Sequence, residues 1–329
     1  MKHNLRITII LLVMFLVTQL IGLWVVNHYT PSEKPLPYGF EPPEEIEPIC
    51  KGMDNIRECL FTLFLSAFMF AIVILIFLFL VRVKSVWVMR IWFFIVVVLA
   101  IGLTLNALFD FIKIPNAYTY AIIIAIPLAI FKVFKRNIII HNLTELLIYP
   151  GIAAVFVSLK FLINIWTIIP ILLLISAYDI WAVWHSGIMQ KMAKFQIDKV
   201  KIFSGFFVPY ADKKTKQKIK RLKQKYKNKK ISSKTLKKQK IKVNLAILGG
   251  GDVIFPIIAA GVFLVALKPI VLIPWKLWLS VFMVPLGATI ALTYLFIFAK
   301  KRKFYPAMPF ITAGIIAGML LGWILSSIL

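Results

Sequence analysis

Negative charge is scarce in this 329-residue chain: thirteen Asp and Glu stand against thirty-nine Lys and Arg. A census of candidate catalytic carboxylates is therefore short. Cysteine is scarcer still, and Cys50 and Cys59 both fall in one connecting segment, where a disulfide and two free thiols both fit. There is no His-Glu-x-x-His sequence, which excludes that metalloprotease chemistry. His141 and Glu145 stand at i, i+4 but supply too few ligands to hold a metal, so no metal or cofactor is expected. No internal repeat is visible.

Apolar residues are what the chain has in excess. It is 61% hydrophobic with a mean hydropathy of +0.89, the mark of a polytopic membrane protein. Runs long enough to cross a bilayer give nine expected spans: Leu5–Val26, Leu60–Val81, Val86–Phe109, Ala117–Phe134, His141–Leu159, Asn164–Met189, Val243–Ala266, Leu277–Ala299 and Tyr305–Leu329. Pro127 interrupts the fourth and Pro150-Gly151 the fifth. The first follows Lys2 and Arg6 but is too long for a signal peptide and has no small-residue cleavage site before Asn27, so it reads as a retained helix. The fold class is all-α, a single membrane-embedded domain over 1–329. Helices one to six occupy 1–189, a basic loop 190–242, and helices seven to nine 243–329.

The basic residues set the orientation, because positive connections stay cytoplasmic. With the N-terminus inside, that side receives Lys2 and Arg6, Arg82 to Arg90, Lys132 to Arg136, the long loop and Lys300 to Lys303. The outer connections hold few bases, and the first carries seven acids between Glu33 and Glu58, together with both cysteines. The expected topology is N-terminus cytoplasmic, C-terminus outside. Residues 190–242 carry twenty Lys/Arg and two acids, so most of the net charge of +26 is local. Such a segment beside a membrane is attracted to anionic lipid headgroups. No recognisable module for nucleic acid surrounds it, so the bilayer is the expected partner.

With seven acids in the outer connection, Asp198 and Asp212 in the basic loop, and Asp110 and Glu145 near span ends, two carboxylates remain. Asp179 in the sixth span and Asp252 in the seventh lie well inside the apolar region. Asp179 stands about ten residues before one end of its span and Asp252 about nine after the start of the next. Both are then about 14–15 Å below the same membrane face at 1.5 Å per residue. No Lys or Arg is expected at that depth to neutralise them. Two carboxyls close together in low dielectric share a proton, one acid and one base. That pairing serves an aspartic protease, and it serves equally an ion or proton pathway in a channel or transporter.

The flanking residues separate the two. Around Asp179 the chain reads "AYDIWAVW", with Tyr178 before the acid; around Asp252 it reads "LGGGDVIFP", which fits Gly-x-Gly-Asp at Gly249, Gly250, Gly251 and Asp252. The last span begins "PAMPF", Pro306 to Phe310. This set resembles the presenilin and signal peptide peptidase family of intramembrane aspartyl proteases, most closely its presenilin side and archaeal members. That family carries Tyr-Asp in the sixth helix, Gly-x-Gly-Asp in the seventh and Pro-Ala-Leu at the ninth. Met308 stands where the family has leucine, a change of similar volume. Prepilin and preflagellin peptidases share the Gly-x-Gly-Asp element but lack the other two.

The resemblance implies that Asp179 and Asp252 are catalytic and that Tyr178, Gly249, Gly250, Gly251, Pro306, Ala307 and Met308 line the substrate path. It implies hydrolysis of peptide bonds within the transmembrane helices of other proteins, in the cytoplasmic half of a cell membrane. The chemistry fits the residues. A helix hides its carbonyls in its own hydrogen bonds, so the substrate must unwind beside protein or water. Three glycines let an extended strand come close to Asp252, and Pro306 and Pro309 disturb the opening turns of the last helix. One tension stands: the Pro306 segment starts near the membrane surface, shallower than the aspartates. Either a water-filled cavity or a sunken, unwound segment must close that gap. His185, six residues after Asp179, is expected on another side of its helix.

Residues 213–242 carry no candidate catalytic group. Trimming them to a short flexible linker is expected to leave cleavage of a helical substrate in detergent largely intact. A folded but inactive product would instead put the loop on the substrate path.

Overall fold

A computed structural model describes residues 5–29, 36–38, 86–135, 137–159, 164–186, 204–210, 244–299 and 305–328, with isolated positions between 57 and 75 and at 217. Among them are α1 (Leu5–Tyr29), α2 (Val86–Phe111), α3 (Ala117–Phe134), α4 (Ile138–Ser158) and α5 (Ile165–Ile180), which continues as a π-helix over Trp181–Ser186. After these come strands β1 (Gly205–Tyr210) and β2 (Asn244–Gly249), then α6 (Gly250–Leu267), α7 (Pro274–Phe298) and α8 (Met308–Ile328). Eight of the described helices are long and apolar enough to cross a membrane. The second expected span, Leu60–Val81, lies outside the described residues apart from isolated helical positions, as do Cys50, Cys59 and most of the basic loop.

Each helix has a local reason to start and persist. Asn137 and Asn164 cap α4 and α5, their side chains accepting from the N–H groups of Ile139 and Trp166. Pro127, Pro150, Pro170, Pro256 and Pro285 all lie inside helices without ending them. Bundle neighbours can re-satisfy a freed backbone group, so proline is tolerated in membrane helices. Large apolar side chains such as Leu20, Ile123, Ile290 and Leu321 stand exposed on the bundle surface, as a lipid-facing surface requires.

Helix α6 is the hub. It packs against α1, α4, α5, α7 and α8, and two thirds of its most apolar stretch is buried, more than for any other described helix. Small residues allow this. A Cβ added to Gly261 would come within 2.8 Å of Val157 and 2.9 Å of Val26. The closest helix pair is α7 with α8, where Gly314, Gly318 and Gly322 repeat every four residues. A Cβ at Gly318 would overlap the Met283 carbonyl, and one at Gly314 the Gly287 carbonyl. Where lipid supplies no hydrophobic drive between helices, such small-residue seams are the means of close packing.

Two expectations need correcting. The all-α reading holds for the membrane helices but misses an antiparallel hairpin pairing Gly205 with Gly249 through Tyr210 with Asn244. The seventh helix begins at Gly250 and not at Val243, because Asn244–Gly249 is spent in β2. Phe206 and Val208 of β1, and Ala246 and Leu248 of β2, are buried, so the apolar run that reads as the head of a helix serves a half-buried strand.

Gly318→Val is expected to force α7 and α8 apart at a cost of about 3 kcal/mol, the scale of core overpacking. The readout is the midpoint of thermal unfolding in detergent; an unchanged midpoint would contradict the close backbone seam.

Candidate active site

Asp179 sits in the last turn of α5, just before the π-helical segment, and is 5% exposed. π-Turns inside α-helices occur often at functional sites. The carboxylate accepts a hydrogen bond from the Met308 N–H at Oδ2, 3.1 Å, and the Ala307 N–H also reaches it. Tyr305 to Ala307 are non-helical and α8 starts at Met308, so Asp179 caps the N-terminus of the last helix. The first N–H groups of any helix lack intrahelical partners and carry the positive end of its dipole, so a carboxylate fits there. One turn earlier, buried Ser176 bonds buried Thr312 of α8 at 2.8 Å, a second polar link between the same helices. The Pro306 segment and the start of α8 are therefore in direct contact with Asp179, through the Met308 N–H.

Asp252 lies in the first turn of α6, three residues after the N-cap Gly249. Its side chain turns back toward that cap, with Oδ2 3.2 Å from where a Gly249 Cβ would stand. An acid at this position complements the helix start. Helices α5 and α6 pack against each other, so both carboxylates belong to one helix pair. The route differs from the expected one: Asp252 is near the head of its helix, and the strand before it replaces the helical turns that were to carry it to depth. On the α1 side, buried Gln19 donates to the Val253 carbonyl at 2.9 Å, bracing the same turn.

The three glycines have different neighbours. Gly250 is buried, and a Cβ there would lie 2.6 Å from Ser204 Oγ and 3.0 Å from the Tyr149 hydroxyl. Its N–H donates to the Ser204 carbonyl at 3.3 Å. Gly251 is exposed, and a Cβ would meet only Phe255 at 3.7 Å, an ordinary contact. Among the described residues Gly251 is therefore the open side of the turn before Asp252, while Gly250 is filled from within. Tyr178 is 40% exposed and faces outward beside the buried acid, its ring 6.1 Å from that of Trp181. His185 is exposed, and Met308 is buried.

Helix α4 holds the hairpin. Asn142 bonds both backbone groups of Phe207, donating at 2.8 Å and accepting at 2.9 Å. His141 Nε2 meets the Gly205 carbonyl at 2.8 Å, and its ring stacks on Phe207. The Gly205 N–H donates to Glu145 at 3.4 Å. In an antiparallel pair, residues whose backbone groups point away from the partner strand sit opposite residues that do the same. Phe207 faces Ile247, and Pro209, which has no N–H, faces Leu245. The backbone groups of Leu245 and Ile247 therefore point to the outer edge of β2, where no further strand pairs among the described residues.

Sequence reasoning weighed Glu145 only with His141, as an incomplete metal site, and read Lys132 as a base of a cytoplasmic connection. Lys132 of α3 lies 2.6 Å from Glu145, with both side chains at least 96% buried. A pair split between two helices leaves no spacing signature, and only the presence of polar side chains inside apolar spans marked Gln19, Lys132, Glu145 and Tyr149.

A profile of the family described as signal-peptide peptidase, presenilin aspartyl protease matches residues 51–328. A solved structure described as a presenilin family intramembrane aspartate protease, in a C222 crystal form, superposes with a TM-score of 0.58 at 16% identity, covering 97% of this chain and 99% of the other. A second of the same description, in a P2 form, gives 0.54 at 15%, covering 96% of each. At such identity the likeness is one of fold. No curated protein sequence matches the chain.

Gly250→Ala is expected to disturb the Ser204 and Tyr149 packing and to lower the thermal midpoint, whereas Gly251→Ala should fold as the parent does or gain about 1 kcal/mol of helix propensity. Equal thermal midpoints for the two variants would contradict the assignment of the open side.

Proposed function

This chain belongs to the signal-peptide peptidase and presenilin family of aspartyl proteases, and from that premise we propose that Asp179 and Asp252 are its two catalytic carboxyls, acting on peptide bonds within transmembrane helices. The enzyme class follows from the family. The observation that carries the residue assignment is the Met308 N–H bond to Asp179, which fixes one carboxylate against the broken start of α8 while its helix packs on that of Asp252. Neither the transporter reading nor the prepilin-peptidase reading has a comparable observation in its favour.

The chemistry uses water and no covalent intermediate. The ionised carboxyl takes a proton from water as its oxygen attacks the scissile carbonyl carbon, and the protonated carboxyl gives its proton to the carbonyl oxygen. A tetrahedral diol results. Its collapse breaks the C–N bond as the carboxyl holding water's proton gives it to the leaving nitrogen and the other takes a proton from a diol hydroxyl, which restores one acid and one base.

The substrate must present an extended backbone. The outward edge of β2 at Leu245 and Ile247 offers main-chain groups for strand addition, a recurrent mode of peptide recognition. From there a strand passes the open side of Gly251 to Asp252, with Tyr178, Pro306, Ala307 and Met308 around Asp179. In this reading nine spans run from a cytoplasmic N-terminus, the active site lies in the cytoplasmic half of the cell membrane, and the basic loop rests against anionic headgroups.

Asp179→Asn and Asp252→Asn are each expected to reduce cleavage of a single-span helical substrate by at least a thousandfold, because one carboxyl cannot fill both roles. Both variants should still insert and give the parental thermal midpoint within a few degrees. Substantial activity in either single variant would sink the assignment.

A further inference from the structure

A buried charged cluster lies on the far side of the hairpin from the proposed substrate edge. Along one face of α4 stand His141, Asn142, Glu145 and Tyr149, and every one of them reaches the hairpin or the segment leading into it. Glu145 is 1% exposed and paired with Lys132 at 2.6 Å; its Oε1 also lies 3.4 Å from His141 Nε2 and accepts from the Gly205 N–H. One turn further on stands fully buried Tyr149, against the Gly250 Cβ position. Its hydroxyl lies 3.5 Å from Ser204 Oγ, and its ring meets Phe206 edge-on at 5.5 Å. Ser204 in turn receives the Gly250 N–H, two residues before Asp252.

Resting on the dyad reading above, we infer that Glu145, neutralised by Lys132, is a positioning residue for Asp252, acting through Ser204–Gly205 and Tyr149 on the Gly250 turn. A helix that only needed to pack would use apolar residues here. Replacing a buried ion pair by apolar residues of similar volume is often neutral or stabilising, while removing one partner strands a buried charge. The pair is thus an expensive way to hold two helices together and an effective way to hold a backbone. Glu145 fixes the Gly205 N–H, His141 fixes the carbonyl of the same residue, and Tyr149 closes on the Gly250 site from which Asp252 projects. Asp179 has its own anchor in the Met308 N–H, so each carboxyl is held by a separate device on its own side of the site.

The test uses the full-length protein in detergent with two variants, Lys132→Met with Glu145→Leu, and Tyr149→Phe. Two readouts are taken: amide hydrogen exchange over residues 244–254, and kcat and KM on a helical substrate. The double variant should keep the parental thermal midpoint. Exchange over 244–254 should speed by at least fivefold, with α7 and α8 unchanged, and kcat should fall at least tenfold with KM within twofold. Tyr149→Phe should move both readouts in the same direction, by at least threefold. Parental exchange in folded variants overturns the inference. So does faster exchange with parental kcat, and so does failure of both variants to fold, because the cluster would then serve only the fold. If the parent itself cleaves nothing, the dyad reading fails while exchange still decides whether the cluster holds the Gly250 turn.

Discussion

The Met308 N–H bond to the Asp179 carboxylate is the interaction on which the rest of the site depends. Both groups are buried, and each left without a partner would cost several kcal/mol on the scale of unpaired buried polar groups. Pro306 precedes α8 and Pro309 is its second residue, so the N–H of Met308 at the helix start needs an acceptor; Asp179, buried at the end of α5, needs donors. Each need answers the other. The bond fixes where the last helix begins and holds a carboxyl against irregular backbone. The Ser176–Thr312 bond one turn away sets the rotation of the same pair.

The Asp252 side solves the same problem with different parts. Three glycines end a strand and start a helix within a few residues, and the acid occupies the first turn, where helix N–H groups favour it. Gln19 of α1 braces the turn from one side and the Gly250–Ser204 bond from the other. Because α6 touches five other described helices, a shift of that turn would disturb the whole bundle. Among the described residues the acids sit in packed helix pairs, while the outer edge of β2 carries no further strand.

Much of this was legible in the sequence, and the exceptions have physical causes. Apart from the start of α6, apolar runs gave the described helices to within a few residues, even across Pro127 and Pro150, because a membrane helix needs only length and hydrophobicity. Scarcity of acid left Asp179 and Asp252 conspicuous. The hairpin was hidden, since Leu245 to Leu248 reads equally well as a buried helix or a strand and only pairing with Phe206–Pro209 decides it. Met308 was weighed by side-chain volume, yet its bond to Asp179 runs through its backbone, which any residue but proline supplies. Gly250 and Gly251 look alike in sequence and differ only in what stands beside them. The Lys132–Glu145 pair joins two helices across a turn, which no periodicity reports.

The central claim is that both carboxyls act on a single tetrahedral intermediate. Binding of a hydroxyl-bearing transition-state analogue of peptide hydrolysis, measured directly in detergent against the parent, Asp179→Asn and Asp252→Asn, tests it without recourse to turnover. The account predicts tight binding to the parent, competitive with a helical substrate, and a loss of at least a hundredfold in each variant. Undiminished binding to either variant would show that the two acids do not share the intermediate, and would contradict the account.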